Sequence, residues 1–155
     1  MPLTLALSPR EEQQEFISTS PEETCHLAAQ LAAALQPGDC LLLIGELGVG
    51  KTTFVQGLAQ GLGVTERVRS PTFVLMHEYH GRVPLYHFDA YRIHKVDELR
   101  EIGFEDIVRS QGITVIEWGE KTEELLPQGC WRIYIELLPE QRRRIRIERP
   151  QAPRT

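Results

Sequence analysis

Cys40-Leu41-Leu42-Leu43-Ile44, followed by Gly45-Glu46-Leu47-Gly48-Val49-Gly50-Lys51-Thr52, decides the fold of this 155-residue chain. The first five residues are a continuous apolar run bounded by turn signals, which is how a strand buried on both faces of a sheet reads. The next eight fit G-x-x-x-x-G-K-[ST] at every fixed position. Average residue usage would produce that pattern by chance in roughly half a per cent of chains this long. Residues from Lys51 to about Leu62, stopped by Gly63, read as a helix. Strand, glycine-rich loop and helix in that order form a phosphate cradle. The glycines let consecutive backbone N–H groups point inward at an anion, and the helix adds its positive N-terminus. Lys51 supplies an ammonium for the β- and γ-phosphates, and Thr52 a hydroxyl for Mg²⁺. A dinucleotide fingerprint is excluded, because the glycines run G-x-x-G-x-G and not G-x-G-x-x-G.

Outward from the loop, Ser20-Pro21-Glu22-Glu23 is a helix start with Ser at the N-cap, Pro at the first position and Glu closing a capping box. That helix runs through Leu27, Leu31 and Leu35 and ends at Gln36-Pro37-Gly38-Asp39. On the other side, Thr72 to His80 and Val83 to Phe88 flank Gly81-Arg82 and read as a hairpin. Val96 to Ile102 and Glu105 to Arg109 read as short helices broken at Gly103. Ile113-Thr114-Val115-Ile116 is a second buried strand, Glu120 to Leu126 a weak helix, and Trp131 to Leu138 with Arg143 to Ile147 a terminal strand pair. Helices alternating with buried strands make an α/β chain: a P-loop NTPase-like three-layer fold whose central sheet is mixed, largely parallel, with added hairpins. The expected organisation is a poorly specified lead-in over 1–16, a single ATPase domain over 17–149 and a tail over 150–155.

Composition narrows the class. Apolar residues are 41% and charged residues 25%, an ordinary globular mix. No apolar run approaches the ~20 residues of a membrane helix, and Met1 to Leu7 lacks the features of a signal peptide. The three cysteines, Cys25, Cys40 and Cys130, lack metal-ligand spacing and read as reduced residues of a cytoplasmic protein. Net charge is −5, with seven Arg and three Glu over 131–155 leaving −9 for residues 1–130. An acidic body does not hold nucleic acid by a general electrostatic footprint. Arg142-Arg143-Arg144 reads as a solvated strand edge, with a phosphate or partner contact as the alternative. The chain contains no asparagine, so it lacks the Asn-Lys-x-Asp loop of guanine-specific switches, and ATP is the expected nucleotide.

A P-loop enzyme needs a carboxylate at the end of a neighbouring strand. Asp89 ends Leu85-Tyr86-His87-Phe88, and Glu117 ends Ile113-Thr114-Val115-Ile116. Both would emerge at the carboxyl edge of the sheet, where α/β sites sit. Each also reads as a surface turn acid. His87 reads as a packed sheet residue and not as a base. Arg69 and Arg92 are the basic residues nearest the expected site, with a salt bridge the alternative to a role on the γ-phosphate.

Four motifs occur in series: Gly-Glu-Leu-Gly-Val-Gly-Lys-Thr-Thr over 45–53, Ser70-Pro71-Thr72-Phe73, His87-Phe88-Asp89-Ala90-Tyr91-Arg92 and Ile116-Glu117-Trp118-Gly119-Glu120. The series resembles the bacterial TsaE (YjeE) family, the small ATPase of the tRNA threonylcarbamoyladenosine (t6A) pathway, over about residues 20–137. Val49 stands where that family usually has Ala or Ser, and the arginine-rich C-terminus is outside its pattern. The resemblance implies ATP and Mg²⁺ as cofactors and TsaB and TsaD as partners, with tRNA reached through the complex and TsaC supplying threonylcarbamoyl-adenylate. It implies that Thr52 and Glu117 are the Mg²⁺ ligands and that Lys51, Asp89 and Glu117 are catalytic, Asp89 near the γ-phosphate. It places Glu46, Leu47, Gly48, Val49, Gly50, Lys51, Thr52, Thr53, Thr24, Thr72 and Trp118 at the nucleotide. Ser70-Pro71-Thr72 resembles a switch segment, and the start of the first helix, Ser20 to Thr24, falls near the base. Ordinary core is the alternative for Trp118, and a turn before a strand the alternative for Ser70-Pro71.

Two other functions compete: a small-molecule kinase, and a nucleotide-gated binding module without useful turnover. The kinase reading needs an arginine-rich lid. Ile93 to Ser110 offers Arg100 and Arg109 amid five acids, which suits a phosphate clamp poorly.

Overall fold

The computed structural model describes residues 12–46, 50–68, 76–89, 96–117 and 129–150. In chain order they form β1 (Gln13–Ser18), α1 (Pro21–Ala34), β2 (Cys40–Ile44), α2 (Lys51–Gly61), β3 (Met76–His80), β4 (Pro84–Asp89), α3 (Val96–Glu101), α4 (Phe104–Val108), β5 (Ile113–Glu117), β6 (Trp131–Leu137) and β7 (Arg143–Glu148). The strands make one sheet in the order β1-β7-β6-β2-β5-β4-β3. The four central strands β6, β2, β5 and β4 are parallel to one another, and β3 on one side and β7 and β1 on the other add antiparallel pairings. The sheet is mixed with a parallel centre, and the carboxyl ends of β2, β4 and β5 open at one edge.

Alternation along β2 explains the two core clusters. Leu41 and Leu43 pack with Leu27 and Leu31 of α1 and with Phe54 and Leu58 of α2. Cys40 and Leu42 face the opposite way, toward Leu99, Phe104 and Val108 of α3 and α4. Each of these leucines is fully buried, at roughly 1.5–3 kcal/mol of transfer free energy apiece. Helices on both faces explain why β2 carries no polar residue. The Phe88 and Phe104 rings meet edge-on, centroids 5.0 Å apart, and fix the second layer.

Local chemistry positions the first layer. Ser20 caps α1, its hydroxyl accepting from the Glu23 N–H at 3.1 Å. The Glu23 carboxylate returns the contact one residue earlier than a standard capping box, accepting from the Thr19 N–H at 2.7 Å. Helices α1 and α2 approach closely at Gly57, where an added Cβ would lie 2.4 Å from the Cys25 carbonyl oxygen.

Two features depart from the expected organisation. Strand β1 begins at Gln13, inside the stretch read as a lead-in, and pairs antiparallel with β7. Of its inward residues Gln14, Phe16 and Ser18 only Phe16 is apolar, so no apolar alternation marks it. Ser18 is satisfied at the start of α1, donating to the Ser20 carbonyl at 2.8 Å and lying 2.7 Å from the Thr24 hydroxyl. The β3–β4 ladder closes at His80 and Pro84, leaving Gly81, Arg82 and Val83 as a three-residue turn in place of the two expected. The turn packs on the end of α2, where the Arg82 N–H donates to the Leu62 carbonyl at 2.8 Å. A Cβ on Gly81 would sit 2.3 Å from that same oxygen, so only glycine fits. The weak helix expected over Glu120 to Leu126 lies outside the described residues.

Candidate nucleotide site

Strand β2 delivers the chain to the sheet edge, where Gly45 and the exposed Glu46 follow. Gly50 caps α2 in the left-handed region, with φ +113° and ψ +19°, a conformation that strains a residue with a Cβ. The first turn of α2 carries no acidic side chain. Lys51 opens the helix and is buried, at 4% exposure. A lysine is buried to that extent only with its charge engaged. Thr52 and Thr53 follow, both half-buried.

Asp89 is the last residue of β4 and Glu117 the last of β5. They are register partners, and Glu117 also pairs with Leu43 of β2. Both acids are therefore at the edge where the loop leaves β2. They are buried, at 9% and 6% exposure, which a surface turn acid would not be. By alternation both share the face covered by α1 and α2, along with Leu85 and Val115. His87, on the same face of β4, is fully buried with its Nε2 3.4 Å from the Glu117 Oε2.

A cleft of about 100 Å³ lies beside the start of α2, lined by Thr19, Ser20, Pro21 and Thr24, by Gly50 and Thr53, and by Gln141 and Arg143. Thr24 is 3% exposed. The Cys25 thiol donates to the Thr53 carbonyl across the α1–α2 contact at 3.4 Å. Burial, then the neighbouring Glu22 charge, raises the Cys25 pKa above the usual thiol value, which keeps it a donor. Arg143 belongs to the run read first as a solvated strand edge, with a phosphate or partner contact as the alternative. The arginine run is not an edge: β7 is flanked by β1 and β6, and Arg142, Arg143 and Arg144 are half-buried. Arg144 pairs with Glu15 at 2.8 Å and Glu136 at 3.3 Å. Arg143 turns the other way, its Nε 3.7 Å from where a Gly50 Cβ would sit.

Thus Asp89 and Glu117 end adjacent strands at the edge where β2 also ends, Lys51 and Thr52 open the helix that follows β2, and Thr24, Gly50 and Thr53 line a cleft beside that helix start. Leu47, Gly48, Val49, Arg69, Ser70, Pro71, Thr72, Arg92 and Trp118 lie outside the described residues.

A family model described as "Threonylcarbamoyl adenosine biosynthesis protein TsaE" matches residues 18–145. The chain is 43% identical over 135 residues to the tRNA threonylcarbamoyladenosine biosynthesis protein TsaE of Bacillus subtilis, covering 86% of this chain and 84% of that protein. It is 39% identical over 131 residues to the protein of the same description from Treponema pallidum, covering 84% and 97%. The crystal structure of Bacillus subtilis YdiB superposes with a TM-score of 0.78 at 38% identity, covering 90% of this chain and 86% of that one.

Proposed function

The chain belongs to the TsaE family of threonylcarbamoyl adenosine biosynthesis proteins, and from that premise we propose that it is the Mg²⁺-dependent ATPase subunit supporting t6A modification of tRNA, acting with TsaB and TsaD in the cytoplasm. The observation that supports this reading is the buried acid pair Asp89 and Glu117 at the ends of β4 and β5, at the edge where β2 runs out toward a helix that opens with Lys51 and Thr52.

The donor set suits a hard divalent cation: a hydroxyl and two carboxylates, all oxygen. Among the described residues no cluster of three His, Cys, Asp or Glu side chains stands ready as a cage. Mg²⁺ needs none, because it is usually held by one or two carboxylates with substrate phosphates. Two buried carboxylates on neighbouring strand ends favour a cation nearby. Thr52 and Glu117 would hold it, and Mg²⁺ would supply positive charge to offset the charge developing on the phosphate oxygens. Lys51 binds the β- and γ-phosphates. Asp89 faces the γ-phosphate side and orients the attacking water. The cleft beside Gly50 is a fraction of the roughly 300–1,000 Å³ that encloses a whole ligand, so it takes one part of the nucleotide. Thr24 and the start of α1 suit the base end, and Arg143 adds a cation there.

A kinase reading gains nothing from the structure. Arg100, which a phosphate-clamping lid would use, is held by Asp97 at 3.4 Å and Glu105 at 3.0 Å. The test is phosphate release from ATP by the purified protein, with and without Mg²⁺, the TsaB–TsaD pair and tRNA. Mg²⁺-dependent release supports the reading. Phosphate appearing on an added acceptor, or no release even in the complete complex, overturns it.

A further inference from the structure

His87 is fully buried, and neither ring nitrogen makes a hydrogen bond of good geometry. Buried polar groups are paired as a rule, so such an exception calls for a reason. Packing alone does not supply one, since a phenyl ring would fill the same space without stranding two nitrogens. The nearest charged partner is the Glu117 carboxylate, 3.4 Å from Nε2, itself 8% exposed at the side chain. The backbone sets this approach. His87 pairs with Val115 while Asp89 pairs with Glu117, so His87 and Glu117 are diagonal neighbours on one face of adjacent strands, within reach of long side chains.

We propose that His87 is a positioning residue for Glu117: its Nε2–H engages Oε2, fixes the plane of the carboxylate and leaves the other oxygen to serve the divalent cation. This rests on the reading of Glu117 as a Mg²⁺ ligand. A separation of 3.4 Å is long for a hydrogen bond, but site contacts of this kind commonly tighten only in the ligand complex. The role is the one that carboxylate and imidazole partners play around bound metals, where an outer group fixes the orientation of a ligating one. On this view His87 never touches nucleotide. It acts through Glu117 alone.

The test uses the full chain with ADP and Mn²⁺ as the spectroscopic stand-in for Mg²⁺, metal binding being followed by electron paramagnetic resonance and thermal unfolding being recorded alongside. His87→Phe keeps the ring and removes both nitrogens; it is expected to weaken metal affinity by ~10–100-fold, the usual effect of losing an outer-shell partner, while metal-free ADP affinity stays put. His87→Gln, which restores a donor near Nε2, is expected to recover most of the loss. In a Glu117→Ala background, His87→Phe should have no further effect on metal binding. If His87→Phe does not fold, His87→Met carries the same comparison. A purely structural role would lower the unfolding temperature and leave metal affinity unchanged, and that result overturns the inference. If Glu117→Ala loses metal while His87→Phe keeps it, the inference fails and the reading of Glu117 stands. If the unaltered protein binds no metal with ADP, both fail.

Discussion

Asp89 and Glu117 are directly opposite register partners at the ends of β4 and β5, and both are buried. Like charges placed directly across a strand pair repel, and burial makes the repulsion harder to screen. The pair is tolerable where a cation or a donor offsets it. Glu117 sits between Asp89 and the end of β2, pairing with Leu43, so it is the acid on the strand next to the one that leads into the loop. Glu117→Ala should therefore remove the Mg²⁺-dependence of nucleotide binding, at least ~10-fold in affinity at saturating Mg²⁺ by analogy with lost ligand-shell groups. Asp89→Ala should affect it less and hydrolysis more. Titrating nucleotide affinity against Mg²⁺ for both variants checks the ranking, and an unchanged Mg²⁺ response in Glu117→Ala would transfer the ligand role to Asp89.

Lys51 is buried at the first position of α2. A cation there opposes the positive end of the helix dipole, so it does not serve the helix. Lys51→Ala is expected to remain folded, at a somewhat lower unfolding temperature because removing a buried, engaged charge strands its partner. Phosphate release should fall by ~10²–10³-fold or more, as when one preorganised electrostatic group is removed. Calorimetry and a phosphate assay on the same preparation separate the two effects. Hydrolysis at the parental rate would dissolve the phosphate-loop assignment.

Gly57 tests what holds α1 against the helix that follows the phosphate loop. A Cβ there would meet the Cys25 carbonyl oxygen at 2.4 Å, its Cα at 2.7 Å and the Ala28 Cβ at 2.8 Å. Two of these are backbone atoms, which cannot swing aside. Gly57→Ala gains up to ~1 kcal/mol of helix propensity, whereas overpacking costs ~1–3 kcal/mol. Overpacking wins, because the clash is with backbone, and a net loss of ~1–2 kcal/mol is expected. Urea unfolding reads it directly. A stabilised variant would mean that α1 yields easily and that the cleft lined by Thr24 and Thr53 is not rigidly set.

The difference between what was legible in the sequence and what was not has a physical pattern. Strand β2, the loop ends and α2 were readable because each obeys a local rule: an apolar run, fixed glycines, a helical stop at Gly63 with φ +78°. Strand β1 was not, because Gln14 and Ser18 point inward and its state is set by pairing with β7, which no local pattern encodes. Burial of His87 was readable from alternation along β4. Its approach to Glu117 was not, since that depends on the register of β4 against β5. Arg143 escaped for the same reason as β1. The run has the composition of an edge, and it is β1, laid against β7, that makes it interior to the sheet.

Control of turnover is the remaining step. On the proposed reading Asp89 and Glu117 serve the cation and the phosphate end and neither is a base, while His87 lies against Glu117 and is sealed from solvent. Arg144 is committed to Glu15 and Glu136, and Arg143 lies beside Gly50, on the cleft side. Phosphoryl transfer depends chiefly on positioning and charge stabilisation, so a site short of one such group turns over slowly. Groups supplied in trans are worth ~10³–10⁵-fold in comparable phosphate-loop systems. The isolated chain is therefore expected to be a weak ATPase, accelerated at least ~10-fold on docking to TsaB–TsaD, an estimate set below that range. Single-turnover hydrolysis with the pair present and absent measures the chemical step free of product release. An unchanged rate constant would show that this chain alone holds the complete catalytic site, and the partner-gated mechanism would have to be abandoned.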